Sequence, residues 1–108
     1  MNFSIFLHVN NKLENKDELY FFTHFYSKDE AKDYISNLIN KRYDVAWNCS
    51  WGSLQYIGHT YLTAISFNKK IWESRTYLIK AYIVDNHVIS LYKKKYVDYI
   101  KRLFYIIG

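Results

Sequence analysis

Proline is absent from this chain of 108 residues, which has only three glycines and one cysteine. Without proline-rich or glycine-rich stretches, nothing in the sequence indicates a linker or a low-complexity segment. A lone cysteine excludes an intramolecular disulfide, so we expect a reducing compartment, the cytoplasm. No apolar run approaches the roughly 20 residues that span a bilayer, and no signal peptide is recognisable. These absences predict one cytoplasmic domain over residues 1–108.

Aromatic residues are abundant and make up 20% of the chain, more than the core of one small domain encloses. We therefore expect exposed tyrosine and tryptophan, residue types that are enriched in binding interfaces. The residue types of A/T-rich codons (Phe, Tyr, Met, Ile, Asn and Lys) total 53, whereas Gly, Ala, Arg and Pro total 10. This skew indicates an A/T-rich genome, such as that of many phages and mobile elements.

Charge is distributed unevenly along the chain. Residues 1–68 hold six Lys/Arg and seven Asp/Glu, whereas residues 69–108 hold nine Lys/Arg and three Asp/Glu. The whole formal net charge of +5 therefore comes from the C-terminal part, where basic residues are interleaved with tyrosine and tryptophan. A local positive potential of this kind attracts phosphates or an acidic protein surface.

Two strands and a helix are predicted in the first half of the chain. Residues 3–10 alternate between apolar and polar side chains, and residues 19–26 are rich in aromatic residues, which predicts an antiparallel pair of strands. Ser27 and Glu30 have the spacing of a capping box. Apolar residues then recur at helical spacing up to a helix end near Lys41; they are Ala31, Tyr34, Ile35, Leu38 and Ile39.

Three further strands and a second helix are predicted in the other half. We expect strands over residues 54–67, 71–84 and 87–92, with turns at residues 68–70 and at Asp85-Asn86. A helix that begins after Thr60 is the alternative for part of the first of these strands. Residues 93–107 have the pattern of an amphipathic helix. The order β-β-α-β-β-β-α predicts an α+β fold, a mainly antiparallel sheet covered by two helices.

The predicted binding site is a basic aromatic face formed by the C-terminal part. On the second helix, one side is apolar (Tyr96, Ile100, Leu103 and Ile107) and the other is basic. We expect the basic side and the segment before it to form one positive surface; its residues are Lys69, Lys70, Trp72, Arg75, Lys94, Lys95, Lys101 and Arg102. Tyr99 and Ile106 lie on a common flank of that helix and predict a two-fold dimer.

No catalytic motif is present, and the sequence predicts no catalytic residue, cofactor or metal. The four histidines lack the close spacing of zinc ligands, and the lone Cys49 offers no thiolate cluster.

Two short segments resemble families of nucleases. Ile57-Gly58-His59, followed by Thr60 and by Arg75, is similar to the Ile-Gly-His segment of viral ring nucleases. That resemblance implies degradation of cyclic tetra-adenylate with His59 at the reaction centre and Arg75 in support. Two other conserved stretches of that family, an Asn-Ala-Phe-Ser and a Gln-Arg-x-x-Glu segment, are missing here.

The second resemblance is to RelE-type mRNA interferases. Ile71-Trp72 and the tyrosine-rich stretch over residues 77–93 resemble the C-terminal sheet of these small basic toxins. The resemblance implies RNA cleavage, with Arg75, Lys93, Lys95 and Tyr96 as candidate acid, base and phosphate-binding groups. Those toxins place helices before their sheet, whereas this chain is predicted to open with a β-hairpin.

These observations favour a non-enzymatic binding protein over an enzyme. We expect a protein of a phage or mobile element that docks its basic aromatic face on a host complex of nucleic-acid defence, in the manner of anti-CRISPR proteins. The partner surface would be acidic protein or nucleic acid. The alternatives are a small nuclease of either resembled family and a protein that binds nucleic acid directly.

Overall fold

The computed structural model describes residues 2–57 and 64–87 of the chain. Its elements are β1 (Phe3–Asn11), β2 (Lys16–Phe25), α1 (Lys28–Arg42), β3 (Trp47–Asn48), β4 (Gly52–Ile57), β5 (Ala64–Glu73) and β6 (Tyr77–Asp85). The described residues form an α+β fold with one helix and an antiparallel sheet of six strands. The strand order is β2-β1-β6-β5-β3, and β4 also pairs with β5. The predicted helix over residues 93–107 lies outside the described residues.

The predicted N-terminal hairpin is confirmed, and its strands extend closer to the turn than the sequence indicated. β1 and β2 pair from Asn11 and Lys16 at the turn to Phe3 and Phe25 at the open end. The Asn11 carboxamide oxygen accepts hydrogen bonds from two backbone N–H groups of the turn, at 3.1 Å each. Asn15 closes the turn with φ of 53°, a left-handed conformation that asparagine tolerates better than most residues.

The predicted capping box is also confirmed, with one difference. The Ser27 hydroxyl accepts a hydrogen bond from the backbone N–H of Glu30 at 3.1 Å. The Glu30 carboxylate accepts in return from the N–H of Tyr26, at 2.7 Å, one residue before the expected donor. The helix places Ala31, Ile35 and Ile39 against the sheet with no exposed surface.

Both faces of the sheet have a buried centre. The near face, on which α1 packs, carries alternate residues of β1 and β6; they are Ile5, Leu7, Val9, Ile79, Ala81 and Ile83. The opposite side, here called the far face, carries the residues between them; those with at most 3% exposure are Ser4, Phe6, Tyr82 and Val84, together with Phe67 of β5. The buried residues of the near face and of α1 together form one hydrophobic core, which holds the helix on the sheet.

The second half of the described chain differs from the prediction in one strand and at two turns. Residues 54–67, expected to form one strand, contribute to two antiparallel strands, because Leu54 of β4 pairs with Phe67 of β5. Residues 68–70, expected to form a turn, lie inside β5, and the expected long strand over residues 71–84 is divided between β5 and β6. The actual turn begins at Ser74, whose hydroxyl accepts from the N–H groups of Thr76 and Tyr77 at 3.2 and 3.0 Å. A side chain that binds the backbone two and three residues ahead stabilises a turn at that point.

Asp85-Asn86 does not form the expected hairpin turn. The Asp85 carboxylate accepts a hydrogen bond from the N–H of His87 at 2.8 Å, and Asn86 and His87 have helical backbone conformation. The last predicted strand is therefore wrong at His87, and its other residues lie outside the described part. A helix with the length and apolar character required to cross a membrane does not occur in the described part of the chain.

Candidate functional site

Lys70 and Trp72 of the predicted site come together on the near face of β5. Their positions alternate with Ile71 along the strand, and they pair with Ala81 and Ile79 of the near-face core. The Lys70 ammonium nitrogen lies 5.1 Å from the centroid of the Trp72 ring. This distance is within the range of a cation–π interaction.

Trp51 extends this pair from the connection between β3 and β4. Its ring meets the Trp72 ring edge to face, with centroids 6.1 Å apart, and the Lys70 nitrogen lies 6.0 Å from its centroid. Cys49 holds the connection on β5, because its N–H donates to the Ile71 carbonyl at 3.0 Å and its sulfur accepts from the Ile71 N–H at 3.1 Å. These two hydrogen bonds between Cys49 and Ile71 fix the connection that carries Trp51, and so they position its ring.

Lys32 of α1 completes the group, which we call the lysine–tryptophan cluster: Lys32, Trp51, Lys70 and Trp72. The Lys32 nitrogen lies 5.9 Å from the centroid of the Trp51 ring. Neither Lys32 nor Lys70 forms an ion pair with a described carboxylate. The cluster therefore presents two positive charges beside the partly exposed ring of Trp51 and the buried ring of Trp72.

Little in the sequence indicates that Lys32 and Trp51 belong to this site. Lys32 follows Ala31 and is not one of the apolar residues at helical spacing. Trp51 lies in a stretch without periodicity. The flank of α1 that lies near Trp51 depends on how the helix packs on the sheet. No local sequence pattern indicates that packing.

Lys69 is separated from Lys70 by the thickness of the sheet. It pairs with Tyr82 on the far face, and its nitrogen lies 5.7 Å from the centroid of the Tyr82 ring. Burial, followed by the nearby charge of Lys80, lowers the pKa of Lys69. Lys69 and Lys70, expected on one positive surface, are thus on opposite faces.

The other residues of the predicted site have different positions. Arg75 is exposed in the turn between β5 and β6. Four basic residues lie outside the described part: Lys94, Lys95, Lys101 and Arg102. The expected dimer contacts, Tyr99 and Ile106, lie outside it as well.

A polar cleft of about 440 Å³ lies on the near face, beside the β1–β2 turn and the C-terminal end of α1. Its lining residues are Val9, Asn11, Glu14, Lys16, Glu18, Tyr20, Arg42, Tyr43 and Tyr77. The Tyr20 hydroxyl donates to the Glu18 carboxylate, and this hydrogen bond raises the pKa of Tyr20. Burial raises the pKa of Tyr43, whose ring meets the Tyr77 ring edge to face with centroids 4.9 Å apart. At neutral pH both hydroxyls are therefore hydrogen-bond donors and not bases.

The residues that carry the two nuclease resemblances are only partly described. Gly58, His59 and Thr60 lie outside the described residues, as do Lys93, Lys95 and Tyr96. The β1–β2 hairpin that opens the described chain is the feature in which the sequence departs from RelE-type toxins. Among the described residues, no group of three or more His, Cys, Asp or Glu side chains could hold a metal ion.

Comparison with models of protein families, with curated proteins and with solved structures finds no match to this chain.

Proposed function

We propose that this protein is a small non-enzymatic binding protein of a phage or mobile element. It docks on an acidic surface of a host complex that handles nucleic acid in defence, and it inhibits that complex. The observation that carries the proposal is the lysine–tryptophan cluster. Two ammonium groups without a described ion-pair partner stand there beside the rings of Trp51 and Trp72.

The cluster has the properties of a protein contact surface. Trp51, whose ring is partly exposed, is of the residue type enriched among those that dominate binding energy at interfaces. A charge next to an aromatic ring is also partly desolvated before the partner arrives. Contact with the rings also restricts the two lysine side chains. A partner carboxylate then binds them at a smaller cost in side-chain entropy than it would bind free lysines.

An acidic protein surface suits the cluster better than nucleic acid does. Stacking of bases requires an accessible aromatic face, whereas Trp72 is 1% exposed and Trp51 has lysine nitrogens within 6.0 Å of its centroid. The cluster itself holds two lysines, whereas a phosphate backbone is bound through several basic contacts along its length.

The proposal predicts that charge reversal at the cluster abolishes capture of the partner. The tagged full chain is incubated with host lysate in parallel with the Lys32→Glu/Lys70→Glu variant. The matched control is Lys16→Glu/Lys41→Glu, which changes the net charge equally at exposed positions outside the cluster. We expect wild type and control to retain the same protein and the cluster variant to lose it.

Nuclease treatment of the lysate separates the alternatives. If captured material disappears after the treatment, the protein binds nucleic acid directly and the proposed partner is wrong. If the purified chain cleaves RNA or cyclic oligoadenylate, and His59→Ala or Arg75→Ala abolishes the cleavage, the protein is an enzyme. Equal capture by the cluster variant and the control would show that the binding surface lies elsewhere.

A further inference from the structure

The far face of the sheet has a strip of buried side chains that runs across its three central strands. Phe6, Tyr82 and Phe67, from β1, β6 and β5, are 2%, 1% and 3% exposed. Val84 and Ser4, next to them on the same face, have no exposed surface at all. Solvent does not reach these side chains, so a layer of protein lies over them.

No element among the described residues supplies that layer. α1 is the single helix among the described elements, and it packs on the near face. On the outer strands of the same far face, Phe21 of β2 and Leu54 of β4 are 44% and 39% exposed. The covered strip is therefore about three strands wide, or about 10 Å. That width corresponds to one helix with its side chains, about 10–12 Å.

Residues 58–63 are too few to cover the strip. They connect the paired ends of β4 and β5, Ile57 and Ala64. A six-residue segment that leaves and returns to adjacent strands extends about 10 Å at most. Phe6 lies two strands away and is level with Lys69, about 16 Å along β5 from Ala64.

The chain leaves the sheet at the edge of the strip. Asn86 follows β6 directly, its N–H donates to the Asn2 carbonyl at 2.8 Å, and its carboxamide oxygen accepts from the Ser4 hydroxyl. Ser4 is itself part of the buried far face. The 21 residues after His87 thus begin beside the buried strip of the far face.

We propose that the far face is the docking surface for residues 88–108 of the same chain. Their sequence carries an apolar side at helical spacing, formed by Tyr96, Ile100, Leu103 and Ile107, which matches the apolar centre of the strip. A second copy of the chain is the competing occupant.

Nuclear Overhauser effects on the intact protein test this assignment without any substitution. We expect contacts between ring protons of Phe6 or Tyr82 and methyl groups of Ile100, Leu103 or Ile107. A mixture of isotope-labelled and unlabelled chains distinguishes the two occupants. Contacts within one chain support the proposal; contacts that arise only between labelled and unlabelled chains would assign the face to a second copy and overturn it. Absence of any such contact overturns it too.

A double-mutant cycle supplies a second readout. If Leu103 contacts Phe6, the changes Leu103→Ala and Phe6→Ala are non-additive, by at least about twofold in the unfolding equilibrium constant. The control cycle pairs Leu103→Ala with Ile35→Ala, because Ile35 is buried on the near face. We expect additive effects there. Equal coupling in both cycles would contradict docking on the far face.

Discussion

The Lys70 ammonium nitrogen lies 5.1 Å from the centroid of the Trp72 ring, two residues further along the same strand. Residues two apart in a strand share a face, whereas direct neighbours do not. Lys69 accordingly lies beside Tyr82 on the other face. The basic residues that the sequence places side by side are thereby divided between two surfaces, and one of these surfaces carries the proposed contact.

Lys70→Ala is expected to lower the free energy of unfolding by about 0.5–1 kcal/mol, the strength of a cation–π interaction near the surface. Urea denaturation followed by tryptophan fluorescence measures the change. Lys70→Arg should retain most of the stability, because a guanidinium also interacts with the ring. Lys41→Ala, at an exposed position of α1, is the control. Equal effects of Lys70→Ala and Lys41→Ala would show that the ring contact contributes nothing.

Ser27→Ala should reduce the free energy of unfolding by about 1 kcal/mol. The change removes the oxygen that accepts from the Glu30 N–H at the start of α1. Ser27→Asp restores an acceptor and should recover most of the loss. Ser36→Ala, inside the helix, is the matched control and should leave stability unchanged or slightly higher. The comparison is made by chemical denaturation, and a Ser27→Asp variant as unstable as Ser27→Ala would refute the capping role.

Asp17 should contribute to the acid sensitivity of the first hairpin. Hydrogen bonds from the Asn10 and His8 side chains, at 2.8 and 2.9 Å, lower the pKa of its carboxyl group. The folded pKa lies below the unfolded value of about 3.9. The stabilisation is therefore present above about pH 4 and is lost as the pH falls through the folded pKa.

The Asp17→Asn variant removes this titration. Its free energy of unfolding should fall less steeply than that of wild type below about pH 4. Asp33→Asn, at an exposed position of α1, provides the comparison. Identical acid profiles for wild type and Asp17→Asn would contradict the prediction.

Tyr82 should govern alkaline stability. Burial on the far face raises the pKa of its hydroxyl to about 12, against about 10 in an unfolded chain. The linked stabilisation is complete below about pH 10 and is lost as the pH rises through the folded value. In an ultraviolet titration of the folded protein, Tyr82→Phe should remove a tyrosine that ionises near pH 12. Tyr26→Phe, at a residue that is 70% exposed, should leave that phase in place.

Local patterns predicted the first half of the described fold. Strand alternation over residues 3–10 and the capping box at Ser27 and Glu30 each act within a few residues, and both are confirmed. Between β4 and β6, β-forming residues run on without proline, so composition offers no boundary. There the turn is located by one hydroxyl, that of Ser74, in its bonds to Thr76 and Tyr77.

By itself, the sequence determined the N-terminal hairpin, the position of α1 and the α+β class, because these depend on side-chain periodicity and on hydrogen bonds between residues close in the chain. Only the tertiary structure decided which lysines share a surface. Lys32, Trp51 and Lys70 come from a helix, a connection and a strand. They meet because α1 brings Lys32 next to the Trp51 ring and because Cys49, two residues before Trp51, pairs with Ile71 of β5. Contacts of that kind depend on how helices and strands pack against one another. The spacing of residues along the chain does not reveal that packing.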